Sequence, residues 1–259
     1  LVRAMTAAGA EVDMIVKDNV GKTGLELQAE SMQFYGKHDF GVHLASQDTP
    51  GNYDLMIATA HDTPRMIQKL SPPAAMYLVQ DYEAYFMPLG GNYILAENGY
   101  SLGYPPITLG NWLAWKLGNE FGLQSYVLPW AAEHKLYLRD IQEKLDKKVD
   151  EDDDEFSICF VFQPDKPRRA HEIGLDALRI VKRRWPKLKI YVYGNPHKPE
   201  LDYDIDFLGL VRKETLIDLY QKCRLGLVIS GTNPSRIPFE MMAAGLPVVD
   251  VYRQNNLFD

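Results

Sequence analysis

Apolar positions in the second half of the chain alternate between short runs of strand length and stripes of helical period. Residues 156–162 form an apolar run. In the segment that follows, 170–184, Ile173, Ala177, Ile180 and Val181 fall at i, i+4, i+7 and i+8, while Arg179, Lys182 and Arg183 point elsewhere. Pro186 stops that helix, and residues 189–193 read as the next strand, closed by Gly194. A third strand at 207–211 precedes a helix with Leu216, Leu219, Tyr220 and Cys223 on one face. Two last apolar runs, 225–229 and 247–251, flank a polar loop and a short helix. Pro238 suits that helix's first position and Glu240 follows inside its first turn. Repeated strand–helix units joined by short connections specify an α/β fold, a parallel sheet with helices on both faces. This half is Rossmann-like without a GxGxxG fingerprint.

The first half repeats the theme with longer gaps. Strands are expected at 11–16, 54–59, 74–79 and 125–128, and helices at 1–8, 64–70 and 111–121. The connections 19–53 and 81–104 are long, and the second is dense in aromatic residues and glycine, the kind of loop in which α/β folds carry function. Between the halves lies a charged stretch ending in six consecutive acids, 150–155, which repel one another and have nothing to bury. The expected organisation is therefore a Rossmann-like domain at 1–138, an acidic linker at 139–155 and a second Rossmann-like domain at 156–259. Helix 1–8 has no strand before it, there is no initiator Met, and the chain stops eight residues past its last strand. A piece of a longer polypeptide is expected, truncated at both ends and with flanking domains.

Composition narrows the classes. Hydrophobic residues make up 46% and charged residues 24%, the balance of an ordinary globular protein. A net charge of -7 argues against general nucleic-acid binding while leaving room for a local basic site that holds a small anion. No apolar run has the length of a membrane span, and the N-terminus lacks the order of a signal peptide, so the expectation is a cytoplasmic protein. Cys159 and Cys223 sit inside apolar patterns without a CxxC partner, which favours buried free thiols over a disulfide or zinc site. The acid run is flat rather than convergent and makes no metal site.

The segment with the most chemistry is 230–249, SGTNPSRIPFEMMAAGLPVV. A loop that feeds a helix N-terminus beyond a buried strand offers backbone N–H groups to an anion. Glu240 adds a fixed carboxylate that can accept from a pair of sugar hydroxyls. Nucleotide-sugar binding is the reading this suggests.

Here the chain resembles the GT-B glycosyltransferases whose C-terminal domain carries a Glu-x7-Glu signature. Glu240 and the following MMAAGLPVV match the second Glu and its Ala-x-Gly-x-Pro-Val continuation, and residues 207–230 match the strand, loop and helix that flank the nucleotide base. Within that group the chain is similar to bacterial rhamnosyltransferases that build rhamnan and surface-layer glycans, through PRRAxExGLxAL at 167–178 and YLVQDYEAYFMPLG at 77–90. Two positions depart from the wider pattern. Thr232 stands where the first Glu is expected, and Gln80-Asp81 stands where many relatives have His-Asp.

The resemblance implies a GT-B fold of two Rossmann-like domains across a cleft, the N-terminal one for the acceptor and the C-terminal one for the donor. It implies metal-free transfer, with retained anomeric configuration, from a nucleotide sugar such as dTDP- or UDP-L-rhamnose to an oligosaccharide, glycan or glycolipid. A departing diphosphate then needs positive charge from the protein. Arg168 and Arg169, at the head of the helix after the first C-terminal strand, would supply it through their guanidinium forks, the alternative being a solvated surface pair. Lys213 or Arg212 would add to it, and Asn233, Pro234, Ser235 and Ile237 line the same phosphates. Thr232 falls to the donor sugar, Glu240 to the ribose, and Gly209, Leu210 and Gly194 to the base. For the acceptor side, Asp81, Glu83 and His61 are the candidate catalytic groups, although a structural role for His61 is equally open. Tyr82, Tyr85, Phe86 and Trp130 could stack on sugars or belong to the core. Two other readings stay open: a non-hydrolysing nucleotide-sugar epimerase and a non-catalytic nucleotide-sugar- or glycan-binding fragment.

Overall fold

The computed structural model describes residues 2–17, 21–38, 40–45, 52–132, 137 and 156–258. The linker expected at 139–155 lies outside the described residues. Contacts divide the chain into two units, Leu1–Met56 with Arg65–Ala75, and Ile57–Pro64 with Met76–Asp259.

In the first unit, helix α1 (Val2–Ala7) leads to strand β1 (Met14–Val16), helix α2 (Gly24–Tyr35) and strand β2 (Val42–Leu44), which runs parallel to β1 with Met14 opposite Val42. The periodicity of the long connection 19–53 gave no helix, yet α2 forms there. Its N-terminus is closed by a capping box in which the Glu26 carboxylate accepts from the Thr23 N–H at 2.7 Å and the Thr23 hydroxyl accepts from the Glu26 N–H at 3.3 Å. The Thr23 N–H, and the Thr23 hydroxyl that donates to the same carboxylate oxygen at 2.9 Å, hold the Glu26 carboxyl below its usual range.

The second unit carries two sheets. The four-stranded one has the order β3–β4–β5–β6, with β3 at Met56–Ala58, β4 at Ala75–Val79, β5 at Pro106–Leu109 and β6 at Tyr126–Leu128; β4, β5 and β6 run parallel. Helices α3 (Thr63–Leu70), which falls in the first unit from Arg65 on, α4 (Gly91–Tyr100) and α5 (Asn111–Phe121) connect the strands. Helix α5 matches its expected span, whereas α4 forms inside the connection 81–104 and β5 just beyond it, where no element was expected. The five-stranded sheet is entirely parallel, in the order β11–β10–β7–β8–β9. Its elements are β7 (Ser157–Val161), helix α6 (His171–Arg184), β8 (Lys189–Tyr193), β9 (Asp206–Gly209), helix α7 (Lys213–Lys222), β10 (Leu225–Leu227), helix α8 (Arg236–Ala243) and β11 (Val248–Val249).

Strand β7 is central and wholly buried, so its period-2 alternation feeds two cores. Ile158 and Phe160 join Leu178, Ile190 and Val192 on one face. Cys159 and Val161 join Tyr193, Tyr220 and Met241 on the other. Both cysteines are buried free thiols, and the bond of Cys159 to Cys223, then burial, raise the Cys159 thiol far above its usual range. Helix α6 lies so close to the sheet that a Cβ at Gly174 would overlap the Phe160 ring. Among the described residues no helix is long and apolar enough to cross a membrane.

Candidate functional site

The loop from β10 to α8 is tied down at almost every polar group. Ser230 donates its N–H to Asp250 Oδ1 at 2.8 Å, and Gly231 donates to the carbonyl of Arg168 at 3.0 Å. That approach demands glycine, since a Cβ at 231 would lie 2.8 Å from the same carbonyl oxygen. The Asn255 amide donates to the Ser230 carbonyl at 2.9 Å and also to that of Thr232. From the four-stranded sheet, Asp81 closes the loop. Its Oδ2 accepts from the Thr232 hydroxyl at 2.7 Å, and its Oδ1 accepts from the N–H groups of Asn233 at 3.0 Å and Tyr82 at 2.8 Å. The Asn233 side-chain amide completes the connection, donating to the carbonyls of Gln80 at 3.0 Å and Leu109 at 2.9 Å. Burial pushes the Asp81 carboxyl up, and the Thr232 hydroxyl, the two N–H groups and the Arg168 charge offset part of that rise.

Arg168 and Arg169 lie next to this loop, but not in a first helical turn. They occupy a 3-10 turn, Pro167–Arg169, that ends on Ala170 in a left-handed conformation (φ 32°) before α6 begins. They therefore precede the helix and are not at its head as the sequence suggested. What marks them is missing partners. Arg169 is 9% exposed, and its Nε and Nη1 are buried without a hydrogen-bond acceptor, as is Nε of Arg168. Burial, then the like charge of Arg168, pulls the Arg169 pKa down. A buried guanidinium with open donors is suited to accept an anion. Ser230 Oγ and Asn233 Oδ1 are likewise buried and unpartnered.

Helix α8 starts two residues earlier than its proline suggested. Ser235 is the N-cap, its hydroxyl accepting from the Ile237 N–H at 3.3 Å, so Pro238 is the third helical residue and not the first. Glu240 is the fifth, beyond the first turn, and its buried carboxylate accepts from Arg236 at 2.6 Å through Oε1. Of the amides between 233 and 237, that of Asn233 goes to Asp81, Pro234 has none, and that of Ile237 goes to the cap. Ser235 and Arg236 are left for an anion. Arg236 escaped the reading of the sequence, although its i, i+4 spacing from Glu240 was there to be seen.

The residues assigned to the base cluster at the ends of β8 and β9. Gly194 (φ 102°) donates its N–H to the Gly209 carbonyl at 2.8 Å, Gly209 has φ 66°, and Leu210 beyond them is exposed. A Cβ at Gly194 would lie 3.1 Å from Val161 Cγ2. Lys213 opens α7, with Nζ 5.7 Å from the Tyr137 ring centroid.

A second constellation lies at the ends of β3 and β4. The Thr63 hydroxyl accepts from the N–H groups of Thr59 and Ala60, folding the turn that carries His61. Glu83 Oε2 accepts from the His61 N–H at 2.5 Å and lies 3.3 Å from His61 Nδ1. Burial raises the Glu83 carboxyl, and the His61 N–H and ring offset part of this. The His61 side chain itself is 40% exposed. Of the candidate sugar-stacking residues, Tyr82 is fully buried with its hydroxyl donating to Glu97 at 2.7 Å, and Trp130 stacks on Phe239. Only Tyr85 and Phe86 of that set present exposed rings. Among the described residues no group of three or more His, Cys, Asp or Glu could hold a metal ion.

Comparison with known proteins adds a family and a fold. The family described as WsaF, C-terminal domain, matches residues 157–258. An O-antigen biosynthesis protein, RfbC, of Myxococcus xanthus is 29% identical over 203 residues, covering 76% of this chain and 15% of its own length. The chain thus spans a small part of that relative. Among solved structures, alpha,alpha-trehalose 6-phosphate synthase from Burkholderia multivorans matches with a TM-score of 0.52 and 11% identity, over 78% of this chain and 57% of its own. UDP-GlcNAc 2-epimerase from Methanocaldococcus jannaschii matches with a TM-score of 0.48 and 11% identity, over 96% and 78%. The chain has an α/β fold with parallel sheets, matching GT-B enzymes.

Proposed function

We propose that the chain is a glycosyltransferase that moves a sugar from a nucleoside-diphosphate donor to a growing surface glycan, with L-rhamnose as the donor sugar. The observation that carries this is the buried Arg169, with two unpartnered guanidinium nitrogens, beside Arg168 and the 230–236 loop. The match of residues 157–258 to the WsaF C-terminal domain and the likeness to an O-antigen biosynthesis protein support it.

In this reading residues 156–259 serve the donor and the four-stranded sheet serves the acceptor. Arg168 and Arg169, with the Ser235 and Arg236 N–H groups, take up the diphosphate charge as it develops, and Lys213 adds to it. Glu240 accepts from the ribose hydroxyls, and the Gly194–Gly209–Leu210 corner meets the base. Thr232 lies toward the sugar. Asp81 holds the donor loop, since both its oxygens already accept bonds. His61 is the base. Its Nδ1 faces Glu83, which leaves Nε2 to take the acceptor hydroxyl's proton while that oxygen bonds the anomeric carbon and the carbon–diphosphate bond breaks.

A base of this kind drives a single displacement that inverts the anomeric centre, where the resemblance alone implied retention. NMR of the product decides between them, and a retained anomer would remove His61 from the base role. The donor site is tested by calorimetry with dTDP and UDP. Arg168→Ala and Glu240→Ala should each weaken binding, and unchanged affinity in both would dismiss the site. Transfer should persist in EDTA, because arginines supply the charge that a metal otherwise would; strict Mg²⁺ dependence would count against the scheme. A thermal-shift screen of nucleotide sugars identifies the donor, and an isomerised donor without acceptor consumption would select an epimerase instead.

A further inference from the structure

The ring of Phe86 lies under the guanidinium of Arg168, with Cζ 4.3 Å from the ring centroid. The carboxylate of Asp81 has Oδ2 3.9 Å from the Arg168 Nε, beyond hydrogen-bond range, and that Nε has no partner. A cation–π contact uses the flat face of a guanidinium and leaves its in-plane N–H groups uncommitted. Arg168 is therefore held by its face and, through the Gly231 N–H on its carbonyl, by its backbone. Its donor edge stays open.

Phe86 is well fixed for such a task. It ends the 3-10 turn Glu83–Phe86, in which Ala84 is fully buried and the Glu83 N–H donates to the Tyr100 hydroxyl at 3.3 Å. Next to it, the Tyr85 hydroxyl accepts from the buried Lys116 at 3.0 Å. Phe86 is 39% exposed, so solvent reaches the ring and the guanidinium that lies on it. One of its faces is covered by Arg168.

We infer that Phe86 is a positioning residue of the donor site: its ring sets the Arg168 guanidinium edge-on to the diphosphate. This rests on the nucleotide-sugar reading above. It also makes the aromatic turn of the four-stranded sheet part of donor recognition.

The test is calorimetry of dTDP and UDP on the full chain with four variants: Phe86→Leu, Phe86→Tyr, Arg168→Ala and the double variant Phe86→Leu/Arg168→Ala. Phe86→Leu should weaken binding by about threefold to tenfold, the worth of a partly exposed cation–π contact. Phe86→Tyr, which keeps the ring face, should restore the wild-type affinity. In the Arg168→Ala background Phe86→Leu should cost nothing further, because the two residues act as one. Equal losses from Phe86→Leu with and without Arg168, or no loss at all while Arg168→Ala binds weakly, would overturn the positioning role. A wild-type chain that binds neither nucleotide would instead overturn the donor-site reading itself, and Arg168→Ala with unchanged affinity would remove Arg168, and with it Phe86, from that site. Unfolding curves of Phe86→Leu matching wild type separate a site effect from a stability effect.

Discussion

Asp81 is a buried carboxylate whose hydrogen bonds are all to the protein, and its energetics follow from that. Burial raises its pKa, so the folded chain holds the proton more tightly than the unfolded chain does. Native stability from this group is therefore fullest below the ordinary carboxylate range and is lost as pH rises through the raised folded value. Glu83 has the same sign. Urea unfolding across that window should show wild-type stability falling with pH, and Asp81→Asn should flatten part of the fall while keeping an oxygen for the Asn233 and Tyr82 N–H groups. Asp81→Ala should cost about 1–3 kcal/mol even at low pH, because it strands buried donors. An Asn variant with the wild-type pH dependence would show that the Asp81 charge is not what titrates. The sequence offered Asp81 as a candidate catalyst, because a carboxylate at a strand end looks the same whether it faces substrate or a loop 151 residues away. Glu240 differs in having its observed partner close in sequence, since Arg236 lies one helical turn before it.

At the scale of elements, legibility tracked local signals. Strand β8 and helix α5 formed at their expected bounds, since each has a clear period and a stop such as Gly194 or Gly122. Strand β5 and helix α4 did not stand out. The glycines at 90 and 91 and the prolines at 105 and 106 read as turn signals, and α4 has no apolar stripe: Ile94 and Leu95 are exposed while Ala96, Gly99 and Tyr100 are buried. Pro106 is tolerated because it is the first residue of β5, where the carbonyl before it accepts from the Tyr77 N–H. In α8 the proline misled in the other direction, by drawing the helix start away from the true cap. That cap carries a prediction. Ser235→Ala should lower stability by about 1 kcal/mol in urea unfolding, with Ser235→Asn recovering most of it. It should also weaken nucleotide binding, since the same bond sets the loop's amides. A cap that could be removed without loss of stability would return the helix start to Pro238.

For the molecule as a whole, the strand–helix units of the five-stranded sheet were legible from hydrophobic period, because burying a parallel sheet on both faces leaves a plain record in the chain. The bonds that join the two sheets left none. They run from Thr232 and Asn233 to Gln80, Asp81 and Leu109, across separations of 124 to 153 residues, and use small polar side chains that are common in any loop. Asn233 is the centre of this latch, 1% exposed and donating two side-chain bonds to carbonyls at the ends of β4 and β5. Asn233→Ala would leave both carbonyls unpaired and should cost about 2–3 kcal/mol, the sum of two lost buried bonds. Hydrogen exchange gives the sharper readout. If the latch couples the sheets, amides in the 230–233 loop and at the ends of β4 and β5 should lose protection together in Asn233→Ala, at similar opening free energies. Loss confined to the loop would mean that Asn233 merely fastens its own segment, and that the two sheets hold their positions without it.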